Sequence, residues 1–95
     1  MIREEGGRLH ISGPVTLENA KELREQGEQY FRGSKLLIDF SEVREVDSAA
    51  VSLMLEWSRM ASATGTEVRF TNLGDSIASL TDLYGVEDLI SVDAP

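Results

Sequence analysis

The sequence predicts an α/β fold, a mixed, four- to five-stranded sheet with helices packed mainly on one face. Two short segments that read as strands flank Gly6-Gly7, and the second of them alternates apolar and polar residues. A nearly continuous apolar run occupies residues 36–40, and two segments with helical apolar spacing separate the later predicted strands. The order strand-strand-helix-strand-helix-strand-helix favours right-handed crossovers wherever neighbouring strands run parallel.

Composition narrows the classes of protein to which the chain can belong. At 95 residues with no cysteine, it is expected to form a single domain, residues 1–95, without disulfides or cysteine-ligated zinc. The net charge of −8 argues against binding of nucleic acid or anionic lipid and favours a basic protein surface as partner. The charged first residues and the lack of a run of about 20 apolar residues predict a cytoplasmic protein without direct membrane insertion.

The first two strands are predicted at residues 2–5 and 8–12, joined by a tight hairpin. Gly6-Gly7 between them supplies the positive φ angles that a two-residue turn requires. Gly13-Pro14 is predicted to end the second strand.

Three further elements follow from the spacing of apolar residues. Thr16 is predicted to cap a helix from Leu17 to about Phe31. An apolar stripe that begins with Leu17 is expected to face the core, and an acidic face is expected to point outward. The apolar run at residues 35–40 predicts a central strand, since it suits a position covered on both faces. Residues 67–71 alternate again and predict another strand.

The last part of the chain is predicted to form a short third helix that ends at Gly85. Its core-facing residues are expected to be Ile77, Leu80, Leu83 and Tyr84. A final apolar turn or strand is expected over residues 86–90, and the tail past Val92 is expected to be loose.

The second helix, predicted from about Ala49 to Ala63 and ended by Gly65, has a wide apolar surface. Its apolar residues cover an arc of roughly 220° at about 100° per residue, twice what packing on a sheet requires. The excess lies on the side of Leu53, Trp57 and Met60. Two interpretations remain open: the third helix buries this side, or it is exposed as an interaction patch.

Residues 46–51 join the central strand to the second helix and form the candidate functional site. A side-chain oxygen of Asp47 or Ser48 can accept from the free N–H groups of the first helical turn. The same N–H groups favour an anion there, including a phosphate carried on Ser48. The small pair Ala49-Ala50 lets a partner surface approach the backbone closely. A cap and a switch both remain open, and docking of a partner is the leading hypothesis.

Sequence motifs of catalysis are missing. No glycine pattern resembles a phosphate-binding loop or a dinucleotide fingerprint, and no cluster has metal-ligand spacing. A hydrolase would need Ser48 with the only histidine, His10, and a carboxylate such as Asp39. A strand histidine in so small a domain is far more often structural or exposed, so the chain is predicted not to be an enzyme and to need no cofactor or metal.

The stretch from Ile38 to Val51 resembles the signature of STAS domains, a hydrophobic strand followed by D-S/T-x-G-L, here Asp47-Ser48-Ala49-Ala50-Val51. The likeness extends over nearly the whole chain. Ala50 departs from the pattern, because the family usually has glycine there, and this change stiffens the helix start. The resemblance implies an α/β domain that binds other proteins.

Two branches of the family imply different partners. The small STAS subunit of the Mla-type phospholipid-transport ABC transporter is the better match, by its compact length, its ending at residues 80–89 and its divergent Pro14-Val15 loop. It implies a subunit that binds and regulates the transporter ATPase, cytoplasmic but peripheral to the inner membrane through the complex. The alternative is an anti-sigma-factor antagonist, which acts on an anti-sigma factor kinase by partner switching, with phosphorylation at Ser48.

Under either branch the same face of the second helix is predicted to contact the partner. The predicted partner-binding residues are Asp47, Ser48, Ala49, Val51, Ser52 and Leu55.

Overall fold

One mixed sheet forms the centre of the fold, as the computed structural model shows for residues 1–92. The strands are β1 (Ile2–Glu5), β2 (Arg8–Val15), β3 (Lys35–Val46) and β4 (Glu67–Thr71). They lie in the order β1-β2-β3-β4, with β1 antiparallel to β2 and the other neighbours parallel. The predicted α/β class and mixed sheet are therefore confirmed, with four strands.

The helices cover one face of this sheet. They are α1 (Ala20–Glu28), α2 (Ser48–Thr64) and α3 (Gly74–Leu83), followed by a single 3-10 turn, Glu87–Leu89. Their apolar sides bury Ile38 and Phe40 of β3 and Phe70 of β4. Within residues 1–92, no helix has both the length and the apolar character needed to cross a membrane. The tail past Val92, predicted to be loose, lies outside the described residues.

The hairpin forms as predicted, but β2 is longer than predicted. Gly6 and Gly7 take φ angles of 58° and 84°, as a turn of the mirror-image type requires. The sequence predicts that the strand ends at Gly13-Pro14, whereas in the structure it continues through these residues to Val15. It can do so because its pairing with β3 shifts register between His10 and Ser12 and again between Gly13 and Pro14, and proline is accepted in strands at such irregularities.

The first helix begins three residues later than predicted. Thr16 and the residues after it form a turn in which the Thr16 N–H donates to Asn19 Oδ1 at 2.8 Å. The backbone carbonyl of Thr16 accepts from the N–H groups of Asn19 and Ala20. Leu17, placed by periodicity on the core stripe, is 81% exposed. Helical spacing fails here because residues 17 and 18 are not yet helical.

The second helix matches its predicted bounds and resolves the question of its wide apolar arc. Gly65, at φ 70°, ends it as a left-handed C-cap. Leu53 and Trp57 are buried, so the interpretation that this side of α2 is exposed as an interaction patch is wrong. The side chain of Trp57 packs against α1, with its ring centroid 6.4 Å from that of Phe31. Neighbouring elements therefore bury this side of α2, and those that cover Trp57 include the first helix.

The third helix buries less of its apolar side than predicted. Ile77 is buried, while Leu83 and Tyr84 are 75% and 52% exposed. Thr81 is buried in their place, and its hydroxyl donates to the Ala78 carbonyl at 2.9 Å. Apolar side chains are consequently available on the surface where α3 ends.

Candidate functional site

Asp47 builds the junction between β3 and α2. Its Oδ1 accepts from the Ala49 N–H at 2.8 Å, which caps α2. Its Oδ2 accepts from the Leu17 N–H at 3.0 Å, so the same carboxylate also holds the turn before α1. The Asp47 N–H in turn donates to the Val15 carbonyl at 3.3 Å. The backbone and side chain of this one residue thus tie the end of β2, the turn before α1 and the start of α2 to each other.

Ser48 is the first residue of α2, and its side chain is exposed. Its hydroxyl makes no hydrogen bond with any of residues 1–92, since Asp47 supplies the cap. Of the two capping candidates, the structure selects Asp47. The Ser48 hydroxyl is therefore free to meet a partner or to carry a modification.

The other predicted contact residues differ in exposure. Ser52 is exposed one turn after Ser48, and Leu55 is half-buried on the next turn. Ala49 and Val51 are buried and lie beneath this surface. Side chains one turn apart share a helix face, so the structure brings Ser48, Ser52 and Leu55 together.

Two grooves meet at this face of α2. The first, about 350 Å³, runs between the start of α1 and α2. Its lining includes Leu17, Lys21, Arg24, Ser48, Ser52 and Leu53. The second, about 420 Å³, lies on the α3 side of α2. Its lining is Ser48, Val51, Ser52, Leu55, Tyr84 and Val86.

Sequence reasoning missed the groove walls supplied by Leu17 and Tyr84. Helical spacing groups each of them with the apolar residues of its helix, whereas both are exposed beside Ser48. An exposed apolar side chain near a helix end has no distinct sequence signal, because periodicity only separates faces within one helix. We call the surface formed by Ser48, Ser52, Leu55 and the two groove walls the Ser48 surface.

The hypothetical hydrolytic triad is not assembled. His10 lies on the sheet face away from the helices, with Nε2 3.4 Å from Glu5 and Nδ1 3.8 Å from Asp39. No hydrogen bond joins Ser48 to His10 or Asp39 within residues 1–92. Among the same residues, no group of histidine and carboxylate side chains has an arrangement suited to a metal ion.

Asp39 is instead a structural anchor of the open sheet face. It is 3% exposed, and burial by itself would raise the pKa of its carboxyl. Hydrogen bonds from the Ser41 N–H, Asn72 and Arg8 outweigh burial and hold that pKa below its ordinary value. The respective distances are 2.8, 3.2 and 2.9 Å.

Asp39→Asn is expected to lower the free energy of unfolding at pH 7 by about 1–3 kcal/mol, since hydrogen bonds to a charge are lost. A depressed carboxyl pKa stabilises the fold above the unfolded value, 3.8, and this contribution disappears as pH falls through the folded value. The difference between wild type and variant should therefore shrink below pH 3.8. Urea unfolding across pH checks this, with exposed Glu45→Gln as control; an unchanged difference in acid would contradict it.

Asp47→Ala is expected to destabilise the fold by about 1–2 kcal/mol, the usual range for loss of an N-cap. Ser48→Ala should change the free energy of unfolding by no more than about 0.5 kcal/mol, because its hydroxyl has no partner. Parallel thermal and urea unfolding of the two variants measures the contrast. Equal losses would show that Ser48, too, stabilises the helix start.

Comparison with known proteins gives consistent results. Residues 2–91 match a family model described as "Mlab, STAS domain". The anti-sigma-B factor antagonist of Bacillus subtilis (strain 168) is 26% identical over 91 residues, covering 92% of this chain and 81% of that protein.

Two solved structures share the fold. The anti-sigma factor antagonist SpoIIAA, in its unphosphorylated form, aligns with a TM-score of 0.74 at 12% identity, over 99% of this chain and 87% of its own. A Thermotoga maritima protein described as a candidate anti-sigma factor antagonist aligns with a TM-score of 0.77 at 13% identity, over 99% and 86%. At such identities the likeness concerns the fold alone.

Proposed function

This chain belongs to the STAS domain family, and from that premise we propose that it is a non-enzymatic antagonist of an anti-sigma factor. In this proposal the Ser48 surface binds the partner. One observation carries the proposal: the Ser48 side chain is exposed, and its hydroxyl makes no hydrogen bond with any of residues 1–92. It lies between two grooves, one with Leu17 and the other with Tyr84 as an apolar wall. The named antagonist from Bacillus subtilis supports this class of partner. The proposal includes the cytoplasmic location expected from the sequence.

Phosphorylation of Ser48 would switch this surface. A phosphate adds a charge of about −1.5 to −2 beside the Asp47 carboxylate. The N-terminus of α2 tolerates the added charge, since its dipole favours anions. The free fold should therefore change little, whereas a partner seated over Ser48 would meet new bulk and new charge. The switch acts on binding rather than on stability.

Ser48→Asp is expected to weaken binding of a cognate anti-sigma factor at least about tenfold, because it places a fixed charge at the contact. Ser48→Ala removes the acceptor site without adding charge, so it should bind as wild type does and resist phosphorylation. Titration calorimetry with candidate anti-sigma factors from the same genome measures both variants. Wild-type affinity in Ser48→Asp, together with no phosphorylation by any candidate kinase, would refute the switch.

A second candidate function is that of the STAS subunit of an Mla-type phospholipid-transport ABC transporter, which the resemblance of the sequence favours. The wording of the matching family model supports it, whereas none of the three relatives above bears a transport name. Here the same surface would bind the ATPase subunit and favour one of its conformations, to the extent that it binds the two conformations differently.

Co-expression separates the two candidates. The chain is produced in parallel with ATPase subunits and with anti-sigma factors from the same genome, and each pair is purified by a tag on the partner. We expect retention with an anti-sigma factor. Retention with an ATPase subunit only would select the transporter role.

A further inference from the structure

The segment that forms one wall of the groove between α1 and α2 has its basic side chains in the groove lining and its acidic side chains outside it. Residues 17–28 contain two cations and four carboxylates. Both cations, Lys21 and Arg24, line the groove. None of the carboxylates does: Glu18, Glu22, Glu25 and Glu28 all lie off its lining. A helix that is acidic as a whole therefore presents its basic side chains to this groove.

The carboxylates that line the groove are already engaged. Both oxygens of Asp47 accept backbone N–H groups, from Ala49 and Leu17. Glu56 accepts from Arg59 at 2.7 Å. The side chains of Lys21 and Arg24 make no ion pair or hydrogen bond with any of residues 1–92. Among the charged side chains of the lining, the two without a partner in this part of the chain are therefore both positive.

The rest of the lining is small or apolar. Leu17 is an exposed wall, Leu53 is buried beneath, and Ala20 and Ala49 add little bulk. A ligand with apolar side chains at this part of the lining and negative charge at Lys21 and Arg24 would complement the groove. The overall charge of −8 predicts the opposite, a basic partner.

We infer that the α1–α2 groove binds an acidic amphipathic segment of the protein partner, with its apolar side chains against Leu17 and its carboxylates at Lys21 and Arg24. The inference rests on the proposed function, since it gives the chemistry of the partner at the Ser48 surface. It also orients the partner, because carboxylates at the α1 side leave the α3 side to apolar contact with Tyr84 and Val86.

Synthetic peptides test the inference without prior identification of the partner. Three amphipathic peptides of about 14 residues, roughly four helical turns, share one leucine stripe and carry Glu, Gln or Lys at all polar positions. Each is titrated to about 1 mM, the weak end of measurable affinity, into the isotopically labelled chain. The Glu peptide should shift amide signals of residues 17–24 and 48–56, and the Lys peptide should not.

Charge-reversal variants locate the effect. Lys21→Glu with Arg24→Glu should weaken the Glu peptide roughly tenfold or more and admit the Lys peptide. Lys35→Glu with Arg44→Glu changes the net charge equally but lies elsewhere, so it should keep the preference for the Glu peptide. Absence of localised shifts with the Glu peptide, binding of the Lys peptide to wild type, or equal losses in both double variants would each overturn the inference.

The outcomes also separate this inference from the proposed function. If an anti-sigma factor binds in a Ser48-dependent manner while the Glu peptide does not bind, only the acidic-segment inference fails. If the Glu peptide binds the groove while no anti-sigma factor binds the chain, the proposed function fails and the chemistry of the groove stands.

Discussion

Ser48→Arg is expected to abolish binding of the proposed anti-sigma factor partner while the free domain stays folded. In the complex the new side chain would add bulk and charge where a serine sat, and a guanidinium buried there without a partner costs about 3–5 kcal/mol, about a hundredfold to several thousandfold in affinity. In the free chain Ser48 is exposed and Asp47 supplies the cap. The free energy of unfolding should then fall by no more than about 1 kcal/mol, a shift of about 4–8 °C in Tm.

Calorimetric titration and thermal unfolding of the same preparation test both parts of this expectation. Ser79→Arg is the matched control, because Ser79 is an exposed helical serine on α3 that lines neither groove. It should bind like wild type. Retained affinity in Ser48→Arg, or a collapsed free domain, would show that Ser48 has another role.

Trp57→Ala is expected to lower the free energy of unfolding by about 3–5 kcal/mol. The indole is fully buried between α1 and α2, so truncation removes its apolar contacts and leaves a cavity. Since domains of this kind are stable by about 5–15 kcal/mol, the loss is a large part of the total. Urea denaturation measures it, and Met60→Ala, at a half-buried position on the same helix, should lose less. Equal losses would contradict the central place of Trp57.

The contact also explains a glycine inside α1. A Cβ on Gly27 would lie 2.8 Å from the Trp57 ring atom Cζ2, nearer than carbon atoms can approach. Gly27→Ala should therefore destabilise the fold by about 1–3 kcal/mol through overpacking, although alanine in a helix normally gains about 0.5–1 kcal/mol over glycine. In the Trp57→Phe background, which removes the indole atoms near Gly27, the same change should cost less. A constant cost in both backgrounds would refute the steric explanation.

Elements whose signals are local were predictable from the sequence. The bounds of β4 match the prediction, and α2 is found within one residue of its predicted ends. The signals for these bounds are local, because alternating apolar residues indicate the strand, and the polar residues before α2 and Gly65 after it indicate the ends of the helix. The start of α1 was missed, since the turn around Leu17 depends on Asp47, a residue distant in sequence. The continuation of β2 past Gly13-Pro14 depends similarly on irregular pairing with β3.

The candidate site was predictable only in part, for the same physical reason. The polar pair before α2 located the surface, and the Ser48 side chain proved exposed. The burial of Trp57 depends on a missing Cβ at Gly27 on another helix, which no periodicity in α2 can express. Tyr84, which is exposed, lies directly after the last residue of α3, where helical spacing no longer determines which side chains are buried. Such choices are made by packing between elements.

Whether the Ser48 surface binds the partner is tested most directly by mapping the interface on the complex itself. Amide hydrogen exchange is measured for the free chain and for the chain bound to the proposed anti-sigma factor partner. We expect added protection in residues 17–24, 48–55 and 84–86, the segments that frame the Ser48 surface, with little change on the open sheet face around His10 and Asp39. Protection confined to β1 and the open sheet face, with residues 48–55 unchanged, would contradict it.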